Sequence, residues 1–108
     1  MATNELHGKE GRLVDLIAVQ PGAIVSKTLI EQPTGTVTLF AFDQGQKLSE
    51  HTAPFDALVT VLQGSVDIIL DGVHHTLTAG DAIVMPAGAV HAVNAVGLCI
   101  WLLTMIRS

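Results

Sequence analysis

From position 23 onward, short runs rich in Val, Ile, Thr and Leu alternate with Gly, Pro and Asp at intervals of about eight to twelve residues. This spacing is typical of strands joined by tight turns. It predicts eight strands, over residues 24–31, 36–42, 58–63, 66–70, 73–78, 82–85, 90–93 and 98–106. Because the chain has no long helical pattern to cover a parallel sheet, we expect an all-β fold, either a sandwich or a barrel.

The turn residues agree with these breaks. Asp71-Gly72 lies between two apolar strands and suits a type I′ hairpin, in which both central residues need positive φ. Further corners are expected at residues 63–64, 79–81 and 86–88, which contain Gly or Pro. A turn over residues 94–97 is expected to split the apolar stretch 89–106 into two strands, so this stretch is not predicted to cross a membrane.

The N-terminal region is expected to differ from the rest. Residues 1–12 are predicted to be a flexible tail and residues 13–108 a single domain. Leu13, Leu16 and Ile17 have the spacing of a short amphipathic helical turn, although a strand fits nearly as well. Two of the predicted strands are apolar on both faces, so a second layer must cover one face. That layer is expected to be either the N-terminal segment or a partner subunit.

Charge is scarce in this chain. Of 108 residues only 15 are charged, and five of these fall within the first fifteen positions. The remaining surface has too few charges for a lone molecule, so we expect a homodimer. The net charge of −5 provides no basic surface, which argues against nucleic acid as a partner. The single cysteine, Cys99, and the lack of an apolar leader favour a cytoplasmic protein.

Two motifs make the sequence more specific. The stretch from Gly80 to His91 has the form G-x5-P-x-G-x2-H, which is the second motif of the cupin family, without a gap. The first cupin motif, G-x5-H-x-H-x3-E-x6-G, is matched in spacing at Gly45, His51 and Gly64. The chain therefore resembles the small single-domain bacterial cupins of the RmlC-like superfamily.

The resemblance implies a double-stranded β-helix, or jelly-roll barrel, that is often dimeric and holds a ligand in the barrel mouth. Cupins with complete motifs bind Zn, Mn, Fe, Ni or Cu through three His and one carboxylate, or through four His. Only His51 and His91 are retained here, because the second His position is Ala53 and the Glu position is Ala57. The resemblance thus implies His51 and His91 as metal ligands.

The two alanines weaken the expected metal site. His51 and Ala53 should share one face of their strand, and a methyl group cannot donate to a metal. Protein sites for divalent first-row ions usually use three or four protein ligands, so a site with two imidazoles should be weak. Asp56 is one position from the missing carboxylate, and in a regular strand its side chain points away, although Pro54-Phe55 can change this.

Other candidate residues have simpler interpretations. His74-His75 follows a turn and is expected at the surface or hydrogen-bonded rather than as a third ligand, and His7 belongs to the tail. Trp101 and Met105 share a strand face and are expected in the core or at a subunit contact. Cys99 has no neighbouring base or helix N-terminus, which argues against a nucleophile.

Three functions fit these residues. The first is an enzyme that uses the two imidazoles, with a metal ion or as a general base, on a small organic substrate. The second is a metal-free binder of a small apolar or weakly acidic molecule, and the third is a vestigial cupin without activity. The sequence assigns no catalytic residue and no reaction. If the two rings lie within about 6 Å of each other, at least one should have a pKa below about 6.5.

Overall fold

The structure, a computed structural model, describes residues 6–107. In this part of the chain there are one 3₁₀ helix, Leu13–Asp15, and seven strands. The strands are β1 (Ile24–Gln32), β2 (Gly35–Phe42), β3 (Lys47–His51), β4 (Asp56–Leu70), β5 (Val73–Thr78), β6 (Ala82–Met85) and β7 (His91–Ile106). The all-β prediction is confirmed.

The strands form one sheet in the order β1-β2-β7-β4-β5, with β3 beside β7 and β6 beside β4. Every pair is antiparallel. The long strands β4 and β7 run beside each other and belong to both halves of the fold: β7 pairs first with β3 and later with β2. Likewise, β4 pairs first with β6 and later with β5. The sheet therefore rolls up as a double-stranded β-helix, as the resemblance implies.

Two predicted strand breaks are wrong, because the chain bends at those points without reversing. The corner expected at residues 63–64 lies within β4, and the turn expected at residues 94–97 lies within β7. Gly64 has a φ of 78° and sits at a shift in the register between these two strands. A bulge, rather than a hairpin, explains this glycine. The predicted hairpin at Asp71-Gly72 is confirmed, with φ values of 48° and 82°.

The barrel interior is apolar. Trp101 is 1% exposed, stacks on Phe40 with 4.6 Å between ring centroids, and meets the Phe42 ring edge-on. Around these rings pack other buried residues of β4 and β7, including Val59, Val61, Val66, Ile68, Val93 and Ala95. Trp101 is therefore a core residue, which was one of its two expected roles.

A second apolar cluster lies on the outer face of β2 and β7. Its buried members are Leu39, Ala41 and Ile100. The segment that contains the 3₁₀ helix covers them, through Val14, Leu16, Ile17 and Val19. The sequence predicts that either the N-terminal segment or a partner subunit covers this face. In the structure the N-terminal segment does so. The predicted tail is described only from residue 6, since residues 1–5 lie outside the described part.

No helix within residues 6–107 is long and apolar enough to cross a membrane. The only helix found there is the single 3₁₀ turn near the N-terminus.

Candidate functional site

His51 is the last residue of β3, a strand that apolar patterning does not predict because Leu48 is its only apolar residue. Leu48 pairs with Val93 and His51 pairs with His91, so three steps along β3 match two steps along β7. In a regular strand Leu48 and His51 would face opposite sides. The extra residue forms a bulge, and bulges redirect side chains. His51 is thereby turned toward His91.

His91 begins β7 and pairs with Leu70 of β4 on its other side. It is 6% exposed and is the one buried polar residue in the described core. Alternation along β7 places it on the same face as Val93 and Ala95, which belong to the interior core. His51 is exposed, so the two rings lie at the boundary between the barrel interior and solvent.

The loop over residues 86–90, which leads to the buried imidazole, is held in place by the first residue of β4 and by the segment that precedes this strand. The Ala87 N–H donates a 2.8 Å hydrogen bond to Oδ1 of Asp56. The Gly88 N–H donates to the carbonyl of Ala53, also at 2.8 Å. The side chain of Asp56 therefore fixes this loop. Alternation with the buried Ala57 places it on the opposite face of β4 from Ala57, as expected from its position in the sequence.

The hairpin between β4 and β5 holds the same loop from the other side. Oδ1 of Asp71 accepts a 2.9 Å hydrogen bond from the N–H of Val90. The Asp71 N–H in turn donates to the Val90 carbonyl at 2.7 Å. Because Val90 directly precedes His91, these bonds set the point at which the histidine enters the sheet.

The two histidines meet through their Nε2 atoms, which are 2.9 Å apart, with 4.1 Å between ring centroids. We call them the imidazole pair. Nδ1 of His51 lies 2.8 Å from the carbonyl of Ser49, and Nδ1 of His91 lies 3.3 Å from the carbonyl of Ala89. The convergence of residues forty positions apart places both motif histidines at one site.

The contacts of the imidazole pair require more protons than two neutral rings carry. Each Nδ1 faces a carbonyl oxygen, which only accepts, so each of these contacts needs a proton on Nδ1. The contact between the two Nε2 atoms needs a third proton, or a cation, between two lone pairs. Two neutral imidazoles supply only two protons in total. Two neutral rings therefore cannot satisfy all three contacts, which require one further proton or another cation.

A third proton is disfavoured on the buried ring. Burial, and then the nearby His51, lower the pKa of His91 below its ordinary value of 6.5, against a smaller opposing effect of the Ala89 carbonyl. This is the direction expected for two imidazoles in close contact.

A metal ion fits the pair only as a two-ligand site. Both Nε2 atoms could donate to one divalent ion, since imidazole nitrogens are common ligands of such ions. Metal-bound imidazoles also commonly donate their second N–H to a carbonyl, as both rings can here. Within residues 6–107, however, no group of three or more His, Cys, Asp or Glu side chains could hold an ion. The three- or four-ligand set of complete cupin motifs does not fit.

The remaining candidates lie apart from this site. Nδ1 of His74 is 2.7 Å from Oδ2 of Asp67, on the face of the sheet opposite the core residue Ile68. His74 is thus hydrogen-bonded, as the sequence predicts. Cys99 is free and fully buried, and burial raises the pKa of its thiol to about 11, which opposes a nucleophilic role.

The interior next to the site is not fully closed. Six apolar residues that pack against the interior core keep partial exposure: Phe40, Leu48, Leu70, Ile83, Leu103 and Met105. Leu48 and Leu70 flank the imidazole pair along β3 and β4. Apolar walls with a few convergent polar groups are typical of small-molecule sites.

Motif spacing does not point to Arg107 and Phe55, although Phe55 belongs to the segment whose Ala53 carbonyl holds the loop before His91. The guanidinium carbon of Arg107 is 5.2 Å from the centroid of the Phe55 ring. The signal in the sequence is the two-residue spacing from Met105 to Arg107, which continues one strand face. This spacing points to Phe55 only when it is known that β4 lies beside β7.

Comparison with known proteins identifies a matching protein family. The sequence profile of a family described as Cupin domain matches residues 38–105. No curated protein matches the sequence significantly.

Solved structures match over nearly the whole chain. A conserved protein of unknown function from Streptococcus pyogenes is 33% identical, with a TM-score of 0.93 over 98% of this chain and 93% of that one. A cupin superfamily protein from Desulfitobacterium hafniense is 25% identical, with a TM-score of 0.92 over 98% and 97%. A cupin 2 conserved barrel domain protein from Leptotrichia buccalis is 36% identical, with a TM-score of 0.84 over 87% of this chain but 46% of that one.

Proposed function

Because this chain belongs to the cupin family, we propose that the imidazole pair binds a divalent metal ion weakly and that the open barrel end binds a small organic molecule beside it. The observation that carries the proposal is the 2.9 Å approach of the two Nε2 atoms while both Nδ1 atoms face carbonyls. A cation between the rings supplies the missing positive charge without a third proton. Divalent ions such as Zn, Mn, Fe, Ni or Cu have this chemistry.

The chain's own residues would prepare such a site. Asp56 and Asp71 hold the loop that precedes the buried imidazole, while Ser49 and Ala89 orient the two rings through their carbonyls. When bound, a divalent ion polarises a ligand oxygen or activates water. The partly exposed interior residues would shield the organic ligand from solvent.

A metal-free binder is the second candidate, and one observation favours it. Ala57 is only 5% exposed and offers no donor, and the described residues give the pair no third ligand. Under this alternative, the imidazoles bind the polar group of the ligand directly, one as donor and the other as acceptor.

Calorimetric titration of the tag-free protein with zinc chloride at pH 7.5 tests the choice. We expect one zinc ion per chain and at least a tenfold loss of affinity in both His51→Ala and His91→Ala, by analogy with the effect of disturbing metal-ligand surroundings. His74→Ala is the matched control and should bind as the wild type does. Equal binding by all four proteins would refute the metal site, whereas a folded wild type that binds no zinc would favour the metal-free binder.

We further propose that two copies associate through the outer face of the sheet. Strand register places Val84, Leu58, Thr104, Val37 and Ile30 side by side in one row across five strands. Val84 and Ile30 are 55% exposed and Leu58 is 38% exposed. A groove of about 190 Å³ is lined by three residues of this row, Ile30, Val37 and Thr104. An uncharged row that is apolar except for Thr104 supports burial against an identical row in a twofold dimer.

Light scattering tests the dimer. We expect the wild type at about twice 11.3 kDa, with Leu58→Lys reduced to a monomer. Val73→Lys changes a residue that is 57% exposed on β5 and should leave the dimer intact. A monomeric wild type, or dissociation by both variants alike, would contradict this interface.

A cytoplasmic location is also proposed, since the buried free thiol of Cys99 suits a reducing compartment.

A further inference from the structure

Arg107 extends the interior face of β7 past the end of the strand. Its N–H donates a 2.8 Å hydrogen bond to the carbonyl of Thr34, which continues the pairing of Gly35 with Ile106. Side chains alternate along this continued strand, so Arg107 lies on the same face as Met105. Met105 packs against the interior core.

The guanidinium lies near the start of β4, because Ile106 pairs with Asp56. It lies over Phe55, which belongs to the segment 52–55 in front of β4. The carbonyl of Ala53 in that segment accepts the hydrogen bond from Gly88. Gly88 is part of the loop that leads to the imidazole pair, so this segment connects the guanidinium to the site.

The guanidinium has an unused buried donor. The Nε atom of Arg107 is buried and has no hydrogen-bond partner among residues 6–107. No carboxylate within this part of the chain forms an ion pair with Arg107 either. Buried donors almost always find a partner. A guanidinium binds a carboxylate through two parallel N–H bonds, one of which can come from Nε.

Next to Arg107 the interior face is apolar and includes one small side chain. Strand register places Met85, Ala57 and Met105 side by side, one pair further into the barrel than Arg107. Met105 is partly exposed, whereas Met85 is 3% exposed. A molecule with an acidic end and an apolar body would contact Arg107 and the methionines together.

We infer that the ligand of the open barrel end is a small organic acid, whose carboxylate binds Arg107 while its apolar part packs over Met105 and Met85. This inference rests on the proposed ligand site and specifies its chemical class. It also assigns a specificity role to Arg107, which the metal proposal does not use. An uncharged molecule of the same shape should bind much less well.

Methionine methyl NMR provides a direct test. Protein labelled at the methionine methyl groups is titrated with benzoate, and with benzyl alcohol as the uncharged probe of similar shape. The chain has three methionines, of which Met85 and Met105 lie at the proposed site. We expect benzoate to shift their two methyl signals in a saturable manner, with an affinity at least about tenfold higher than that of benzyl alcohol.

Substitutions then test whether Arg107 is responsible for the binding of benzoate. Arg107→Gln should weaken benzoate binding by about tenfold to a hundredfold, as loss of a charge-assisted hydrogen bond implies. Arg107→Lys keeps the charge and should retain part of the affinity. Arg12→Gln changes the chain's other arginine, which is 78% exposed, and should bind as the wild type does. The methyl spectra without benzoate show whether each variant is folded.

Equal shifts with benzoate and benzyl alcohol would overturn the inference. So would unchanged benzoate affinity in Arg107→Gln, or the absence of saturable binding up to about 50 mM benzoate, where even a millimolar site would be filled. The zinc titration distinguishes this failure from that of the proposed function. Zinc binding that depends on His51 and His91, without benzoate binding, would refute only the organic-acid inference.

Discussion

Replacement of Gly64 by alanine should disrupt the bend on which the barrel depends. Gly64 has a φ of 78°, where an L residue costs about 1–2 kcal/mol. An added Cβ would also clash with the carbonyl oxygen of Leu98 and lie only 3.0 Å from Cα of Cys99. Both are backbone atoms of β7, so the two long strands must separate. With lost ladder hydrogen bonds of about 1 kcal/mol each, we expect a total loss of about 3–5 kcal/mol.

Gly45→Ala is the matched control for this prediction. Gly45 has a similar φ of 80°, but no atom lies within 4 Å of the added Cβ. It should therefore lose only the conformational part, about 1–2 kcal/mol. In thermal unfolding followed by circular dichroism, these losses correspond to a fall in Tm of roughly 12–25 °C for Gly64→Ala and roughly 4–10 °C for Gly45→Ala, at about 4–5 °C per kcal/mol. Equal losses in the two variants would refute the close approach of β4 and β7 at this bulge.

Two further predictions concern single side chains. Because the folded state lowers the pKa of His91 below 6.5, the unfolded chain binds its proton more readily, so the free energy of unfolding in urea should fall as the pH drops through about 6.5. His91→Gln should flatten this dependence, whereas an unchanged slope would contradict it. Because burial raises the pKa of the Cys99 thiol to about 11, a disulfide reagent at pH 8 should label it slowly in the native protein and fully after denaturation. Rapid labelling of the native protein would show that this part of the core is open.

Local pattern and motif spacing could predict the architecture and the two histidines, but not the bends. Apolar alternation in β1 and β5 shows in the sequence because each has one covered face. Gly64 and Asn94–Gly97 look like hairpin turns because a glycine that permits a bulge and one that permits a reversal have the same local signature. Only the pairing of β4 with β7 along their whole length distinguishes them.

The parts of the site that depend on register between distant strands could not be read from the sequence. β3 is too polar to show a strand pattern, and its bulge decides which way His51 faces. Arg107 reaches Phe55 only because β7 lies beside β4. The position of Asp56 was predictable, since a shift of one residue in a strand reverses the side-chain direction.

The most direct measurement of the imidazole pair is a long-range proton–nitrogen NMR spectrum of the histidine rings at pH 7.5, before and after one equivalent of zinc. The contacts of His51 and His91 with the Ser49 and Ala89 carbonyls predict that zinc leaves both rings protonated at Nδ1 and shifts both Nε2 signals together. The signals of His74 should not move. Independent responses of the two rings, or rings protonated at Nε2 in the presence of zinc, would contradict their convergence on one cation.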